Sequence, residues 1–373
     1  MNDKMTYANS GLDYDPIDRF KVWAQKAAIE TERGNPLRRL GFRIVPTSRG
    51  ESAFMLEPTR RDKYALAHVN EGLGTKVLVA DAMTENQTFY YEGISQDTIA
   101  MVVNDMATLG AFPLSMQMHL AAGKSDWFND EYKIKGLIRG WKETCIKARC
   151  VWGGGETPVL KDIVSPTTCV IAGSADGVTK KKHPTMASDR ILPGDAIMIA
   201  PHTGVGANGL TLCRALAEKL PGGYSYPLGM GGRTYGQVLL DPTPIYSTLV
   251  EDLLDAGVDV HYAVNITGHG WRKFMRAPQV LVYRITEMPP ELGIFKFIQK
   301  KGNVDLREMY GTFNMGAGFG LFIPKRQVAK AIKVGRKWNL YRAGEVQTAK
   351  DGVKKVVIVP QDIIFYGDEL KVR

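Results

Sequence analysis

Asn104-Asp105-Met106-Ala107-Thr108-Leu109-Gly110-Ala111-Phe112-Pro113 is the stretch on which the reading turns. It follows an apolar run, Thr98 to Val103, with the character of a buried helix or strand. A carboxylate therefore leaves an apolar element and meets, at fixed distance, a Gly-Ala-x-Pro turn. Further along, a second carboxylate stands on a glycine turn, Gly153-Gly154-Gly155-Glu156-Thr157. A third lies upstream in Glu71-Gly72-Leu73-Gly74-Thr75-Lys76. Three acids, each beside a glycine or apolar turn, suit a shared magnesium ion and its nucleotide. Magnesium favours a few carboxylates together with phosphate oxygens and water.

Outward from this stretch, the pattern predicts an amphipathic helix over Asp15 to Thr31, then a glycine- and arginine-rich loop from Gly34 to Gly50. A strand over Tyr64 to Val69 runs into the Glu71–Lys76 loop, and another covers Pro113 to Leu120. Tyr132 to Ala148 places Ile134, Leu137, Ile138, Trp141 and Cys145 at helical spacing. Thr167 to Ala175 reads as a strand. Turn and linker chemistry (Lys180-Lys181-Lys182, Pro184, Pro193-Gly194) marks a boundary between Gly177 and Gly194. The second half starts afresh with a strand over Asp195 to Ala200, a glycine loop, and a helix over Leu210 to Leu220. A glycine-rich excursion from Gly222 to Gly236 follows, with the length of a mobile or ligand-facing segment. Then come a helix over Ile245 to Ala256, a strand over Val258 to Val264, a strand over Phe319 to Ile323, a helix over Arg326 to Lys337 and a strand over Lys355 to Val359. The irregular alternation favours two α+β domains, 1–176 and 177–373, over one doubly wound sheet.

Bulk properties bound the answer more than they decide it. The 373 residues fit about two domains, and 44% hydrophobic with 23% charged residues is an ordinary globular balance. No apolar run is long enough for a membrane span, and Met1 to Asp18 lacks a signal-peptide core. Cys145, Cys150, Cys169 and Cys213 have neither a CxxC pair nor histidines at metal spacing, and read as reduced thiols of a cytoplasmic protein. The net charge of +9 admits a solvated basic surface, attraction of phosphorylated small molecules, or nucleic-acid binding. The basic residues are dispersed and no aromatics interleave them, which disfavours nucleic acid.

Gly204, Gly206 and Gly209 form a literal GxGxxG between a strand and a helix. The acidic residue that a dinucleotide fold needs about 20 positions on is missing. The rejection leaves the backbone physics intact, since N–H groups at a helix N-terminus still bind phosphate. Gly74-Thr75-Lys76 looks like the tail of a Walker loop, but the earlier glycine spacing fails; Lys76 remains a candidate point charge for a phosphate. His269, within Thr267-Gly268-His269-Gly270, is either a ligand contact or a turn histidine.

These motifs resemble those of the phosphoribosylformylglycinamidine cyclo-ligase family, in order and nearly end to end. Tyr7-Ala-Asn-Ser-Gly11-Leu-Asp13 is similar to its opening Tyr-x-x-Ala-Gly-Val-Asp, Asp105 to Pro113 to its Asp-x4-Gly-Ala-x-Pro, and Gly154-Gly155-Glu156-Thr157 to its Gly-Gly-Glu-Thr. Asp241-Pro242-Thr243 with Ile245-Tyr246, and Glu308-Met309-Tyr310 with Thr312-Phe313-Asn314-Met315-Gly316, follow two further family stretches. The resemblance implies a two-domain α+β fold of the aminoimidazole-ribonucleotide-synthetase kind. It also implies a homodimer in which the N-terminal domains (1–176, ATP-binding and dimerising) pair into a β-barrel. Magnesium and ATP would be held by Glu71, Asp105 and Glu156, with Gly72, Gly74, Thr75, Lys76, Asn104, Gly154, Gly155 and Thr157 around the nucleotide. Gly204, Gly206, Asn208, Gly209, Thr267, Gly268 and Asn314 would bind a phosphorylated small-molecule substrate, and Asp105, His269 and Asn208 would serve the chemistry. The implied reaction is ATP-dependent closure of the imidazole ring in purine biosynthesis.

The departures are specific. Glu71 stands for Asp, Pro244 and Gly311 for Arg, and Asn265 for His. The family loop Ser-Gly-x-His-Ser-Asn-Gly is Thr203-Gly204-Val205-Gly206-Ala207-Asn208-Gly209, without its imidazole and hydroxyl. These losses keep two alternatives open: a sister ATP-dependent enzyme of the superfamily with another substrate, and a catalytically silent homologue.

Overall fold

The structure is a computed structural model that describes residues 5–6, 41–48, 51, 53–60, 64–83, 90–180 and 186–371. The helix expected over Asp15 to Thr31, the Tyr7–Asp13 motif and most of the Gly34–Gly50 loop lie outside the described residues.

The first half is a six-stranded sheet backed by helices. Its elements are β1 (Phe42–Ile44), β2 (Phe54–Pro58), β3 (Leu66–Gly72), α1 (Lys76–Met83), α2 (Tyr90–Ala107), β4 (Ala111–Ala122), α3 (Glu131–Lys147), β5 (Val151–Glu156) and β6 (Cys169–Thr179). The strand order is β1-β2-β3-β6-β4-β5, antiparallel except for the edge pair β4–β5. Thr98 to Val103 is helical, part of the 18-residue α2. The stretch resisted a choice between helix and strand because α2 is buried on nearly every side, so no polar stripe betrays its period. Met106, Met116, Trp141 and Ile171 pack between α2, α3 and one face of the sheet. The other face, with Ser115, Gln117 and His119 aligned opposite Asp176, Ser174 and Ala172, is covered by no described element. Every residue of β5 is exposed.

The second half is built on a seven-stranded sheet: β7 (Ala196–Pro201), β10 (Tyr262–Asn265), β11 (Leu281–Ile285), β12 (Ala317–Ile323), β13 (Tyr341–Thr348), β14 (Lys355–Ile358) and β15 (Ile363–Tyr366), in the order β10-β12-β7-β13-β11-β14-β15. Both faces are buried. Alternation along β7 sends Ile197 and Ile199 into one apolar cluster and Ala196, Met198 and Ala200 into another. The helices are α4 (Leu210–Lys219), α5 (Tyr235–Leu239), α6 (Ser247–Asp255), α7 (Gly293–Gly302), α8 (Leu306–Thr312) and α9 (Val328–Val334). The glycine-rich excursion from 222 to 236 is ordered into a turn of 3-10 helix and a short hairpin, β8 (Pro227–Met230) with β9 (Arg233–Thr234). β7 is flanked on both sides by antiparallel strands, which removes the parallel βαβ unit of a dinucleotide fold and agrees with the α+β reading. Four free cysteines, three buried and Cys150 half-buried, carry no disulfide.

Candidate functional site

Lys76, Asn104 and Asp105, all singled out in the sequence, gather where α1 and α2 of the first half meet the second half. Asp97 and Asn104 lie two turns apart on α2, and so project from one side of it. Asp97 Oδ1 accepts hydrogen bonds from the Thr243 N–H (2.9 Å) and Oγ1 (2.5 Å). Its Oδ2 lies 2.6 Å from Lys76 Nζ with both side chains fully buried. Lys76 Nζ also donates to the Asp241 carbonyl at 2.8 Å. Asn104 Oδ1 accepts the N–H groups of Tyr246 (2.7 Å) and Ser247 (3.2 Å) at the start of α6, and its Nδ2 donates to the Pro244 carbonyl at 2.9 Å. Lys76 and Asn104, read from the sequence as nucleotide contacts, thus have their polar atoms engaged in the joint between the halves. Asp105 Oδ1 accepts from Asn265 Nδ2 at 2.7 Å, so the residue standing where the family has histidine is bonded to the central carboxylate.

Beside this joint is a small cleft lined by Ala100 and Met101 of α2, by His202, Val205, Gly206, Ala207 and Asn208, by Thr243, by Asn265, Ile266 and Thr267, and by Asn314. It brings together four residues expected at the substrate: Gly206, Asn208, Thr267 and Asn314. Gly204, Gly209, Gly268 and His269 are not among its lining residues. The glycine loop holds its shape through Asn314, whose Nδ2 donates to the Gly204 and Val205 carbonyls at 3.1 and 2.9 Å while its Oδ1 accepts from Gly316 N. Gly209 begins α4 at φ +81°, and a Cβ there would lie 2.2 Å from the Phe313 ring. Only glycine satisfies both the dihedral and the contact. The loop therefore leads from the cleft-lining Gly206, Ala207 and Asn208 into the N-terminus of a ten-residue helix.

Sequence reasoning missed His202. It is 6% exposed and lines the cleft. Its Nδ1 accepts the Gly204 N–H at 3.0 Å. Burial, reinforced by the Lys76 ammonium, pushes its pKa down to about 3. His202 sits just ahead of the motif and fits no spacing rule, so only the folded loop discloses it. His269 is buried at φ +69°, at the start of a 3-10 turn, with its carbonyl accepting from Arg272.

The three acids do not converge within one chain. Register places Glu71 opposite Gly173, Gly173 opposite Met118, and Met118 opposite Gly155. Glu71 and Glu156 are thus separated by β6 and β4, about 14 Å at the usual strand spacing, while Asp105 is held by Asn265. No group of three metal-competent side chains occurs among the described residues. A magnesium cage of Glu71, Asp105 and Glu156 does not fit this single chain: each acid borders a glycine turn, but the turns lie on different strands and ends of the sheet.

Residues 50–178 match the family model of the AIR synthase related protein, N-terminal domain. That defines the class for the first sheet and its helices. Solved structures share the fold across both halves. The hydrogenase maturation protein HypE in complex with ATP superposes with a TM-score of 0.56 at 17% identity, over 81% of this chain and 84% of that one. Thiamine monophosphate kinase from Aquifex aeolicus superposes at 0.52 and 17%, over 77% and 87%. Curated relatives are closer in sequence. The phosphoribosylformylglycinamidine cyclo-ligase of Carboxydothermus hydrogenoformans is 34% identical over 95% of this chain and 99% of its own length. That of Methanosarcina acetivorans is 35% identical over 90% and 93%, and that of Pyrococcus furiosus 33% over 92% and 95%. The chain belongs to the phosphoribosylformylglycinamidine cyclo-ligase family.

Proposed function

We propose that this protein is an ATP-dependent cyclo-ligase that closes formylglycinamidine ribonucleotide to aminoimidazole ribonucleotide in purine biosynthesis, working in the cytoplasm as a homodimer. The observation that carries the proposal is kinship over nearly the whole chain. In this reaction the formyl oxygen takes the γ-phosphoryl group of ATP, releasing ADP. The amidine nitrogen of the same substrate then attacks that carbon, and the oxygen leaves as inorganic phosphate. Phosphorylation converts a poor leaving group into a good one. Because the nucleophile is already within the substrate, positioning supplies much of the rate.

In this reading the cleft at the α4 N-terminus receives the phosphorylated substrate, with Gly206 and Asn208 on one wall and Thr267 on the other. Asp105, bonded to Asn265, holds the rear wall. ATP binding would use the exposed Gly154–Thr157 turn and the Gly72–Thr75 loop. Magnesium would arrive on the nucleotide; no step is assigned to a cage of the three acids, which one chain does not assemble. A homodimer is supported by the open sheet face and by β5, an edge strand every residue of which is exposed.

The test is ADP release from magnesium-ATP with and without formylglycinamidine ribonucleotide, with the imidazole product followed in parallel. Substrate-dependent ADP matched by product is the expected result. Nucleotide binding without substrate-dependent turnover would sink the proposal and leave a sister enzyme or a silent homologue.

A further inference from the structure

His202 turns one side of its ring to the glycine loop and the other to the cleft. Gly204 N–H donates to Nδ1, so the proton of the neutral ring resides on Nε2. Among the described residues nothing accepts that proton: the bond at Nδ1 is the only side-chain bond His202 makes. The ring is nine-tenths buried, lines the cleft, and ends beside Gly206. A Cβ built on Gly206 would lie 3.0 Å from Nε2, 3.2 Å from Cε1 and 3.5 Å from Thr243 Oγ1. The missing side chain at position 206 therefore leaves a space that the imidazole of position 202 fills.

We infer that His202 is a substrate-binding residue of this chain, donating its Nε2–H to an oxygen of a phosphorylated ligand seated at the α4 N-terminus, in place of a side chain from position 206. The inference rests on the cleft being the substrate site proposed above. Burial keeps the ring uncharged at neutral pH, so it serves as a fixed donor and not as a proton carrier. The loop gains a donor whose direction is set by Nδ1, which glycine at 206 cannot supply. An independent position shows a similar exchange. Gly311 stands where the family carries arginine, and the Arg272 guanidinium lies 3.7 Å from where a Cβ on Gly311 would be, donating to the Gly311 carbonyl at 2.6 Å.

Two substitutions separate binding from loop support. Asn at 202 keeps an acceptor at the place of Nδ1 and removes the Nε2 donor; Gln places an amide N–H near Nε2 and removes the Nδ1 acceptor. Each variant and the wild type are measured for Tm, for Kd toward ribose 5-phosphate, and for KM and kcat with formylglycinamidine ribonucleotide. The expected result for His202→Asn is a Tm shift under about 4 °C with both Kd and KM raised about ten- to hundredfold and kcat little changed. His202→Gln is expected to lose Tm and to keep more of the affinity. The inference is overturned if His202→Asn binds ribose 5-phosphate as the wild type does, or if it loses Tm and affinity together as His202→Gln does. Absence of turnover in the wild type would remove the proposed reaction alone, since the ribose 5-phosphate arm still reads His202.

Discussion

At the scale of single residues, His202 makes acid stability measurable. In the folded chain its pKa lies at about 3, against 6.5 for the free side chain. Between those values the unfolded chain binds a proton that the folded chain excludes. Stability is therefore unaffected by this group above pH 6.5 and falls as pH drops toward 3, with a slope of up to about 1.4 kcal/mol per pH unit. Urea midpoints measured from pH 7 to pH 4 should decline more gently in His202→Asn than in the wild type; parallel declines would refute the assignment. Residues of this kind explain why the site was only partly legible. Gly206, Asn208, Thr267 and Asn314 announce themselves as motif members. His202 gains its role from the absence of a side chain four positions later, a relation between two residues that no local pattern contains. Lys76 shows the converse: its Gly-Thr-Lys context resembles a phosphate loop, and only the fold discloses that its ammonium ends on the Asp97 carboxylate.

At the scale of elements, α6 depends on a residue far away in sequence. Its first N–H groups, at Tyr246 and Ser247, are satisfied by Asn104 Oδ1 from α2. Asn104→Ala removes that cap and strands two buried donors, a loss of about 2 kcal/mol or more. Chemical denaturation should show it as a fall in midpoint with the slope retained; an unchanged midpoint would mean that water replaces the amide without cost. Elements with a clear period were readable from sequence. The α3 stripe of Leu137, Trp141 and Cys145 fixed a helix within a residue of its observed ends. β13 escaped notice because Arg342, Glu345 and Gln347 interrupt any alternation, even though it lies between β7 and β11. The glycines over 222–236 suit a mobile or ligand-facing segment, and in the fold they also serve its turns. Those at 222, 223, 229, 231 and 232 have positive φ, which is what tight turns and a hairpin require.

At the scale of the molecule, the open face of the first sheet carries a prediction. Val170 on β6 is 51% exposed and Val151 on β5 is 64% exposed. Aspartate at an exposed position costs the isolated chain within about 0.5 kcal/mol, whereas at a closed interface it strands a charge. Val170→Asp and Val151→Asp together should leave Tm nearly unchanged while light scattering reports 41.2 kDa in place of twice that mass. A wild type already at the monomer mass would end the dimer proposal. Sequence could suggest three acids around one metal ion because each borders a glycine turn. It could not report that two strands intervene between Glu71 and Glu156.

The joint between the halves also governs how the chain comes apart. The segment from Asp241 to Ser247 is held by Lys76, Asp97 and Asn104, all three fully buried. Melting either half alone would strip the Thr243 and Asp241 hydrogen bonds from a buried ion pair of the first half and the Tyr246 and Ser247 bonds from a buried amide, at a cost of about 1.5–3 kcal/mol for each bond to a charged group. Partial opening is thereby suppressed, and the two halves behave as one cooperative unit. Calorimetry should record a single endotherm whose calorimetric and van't Hoff enthalpies agree, and Asp97→Asn should split it into two; a wild type that already melts in two steps would contradict this coupling.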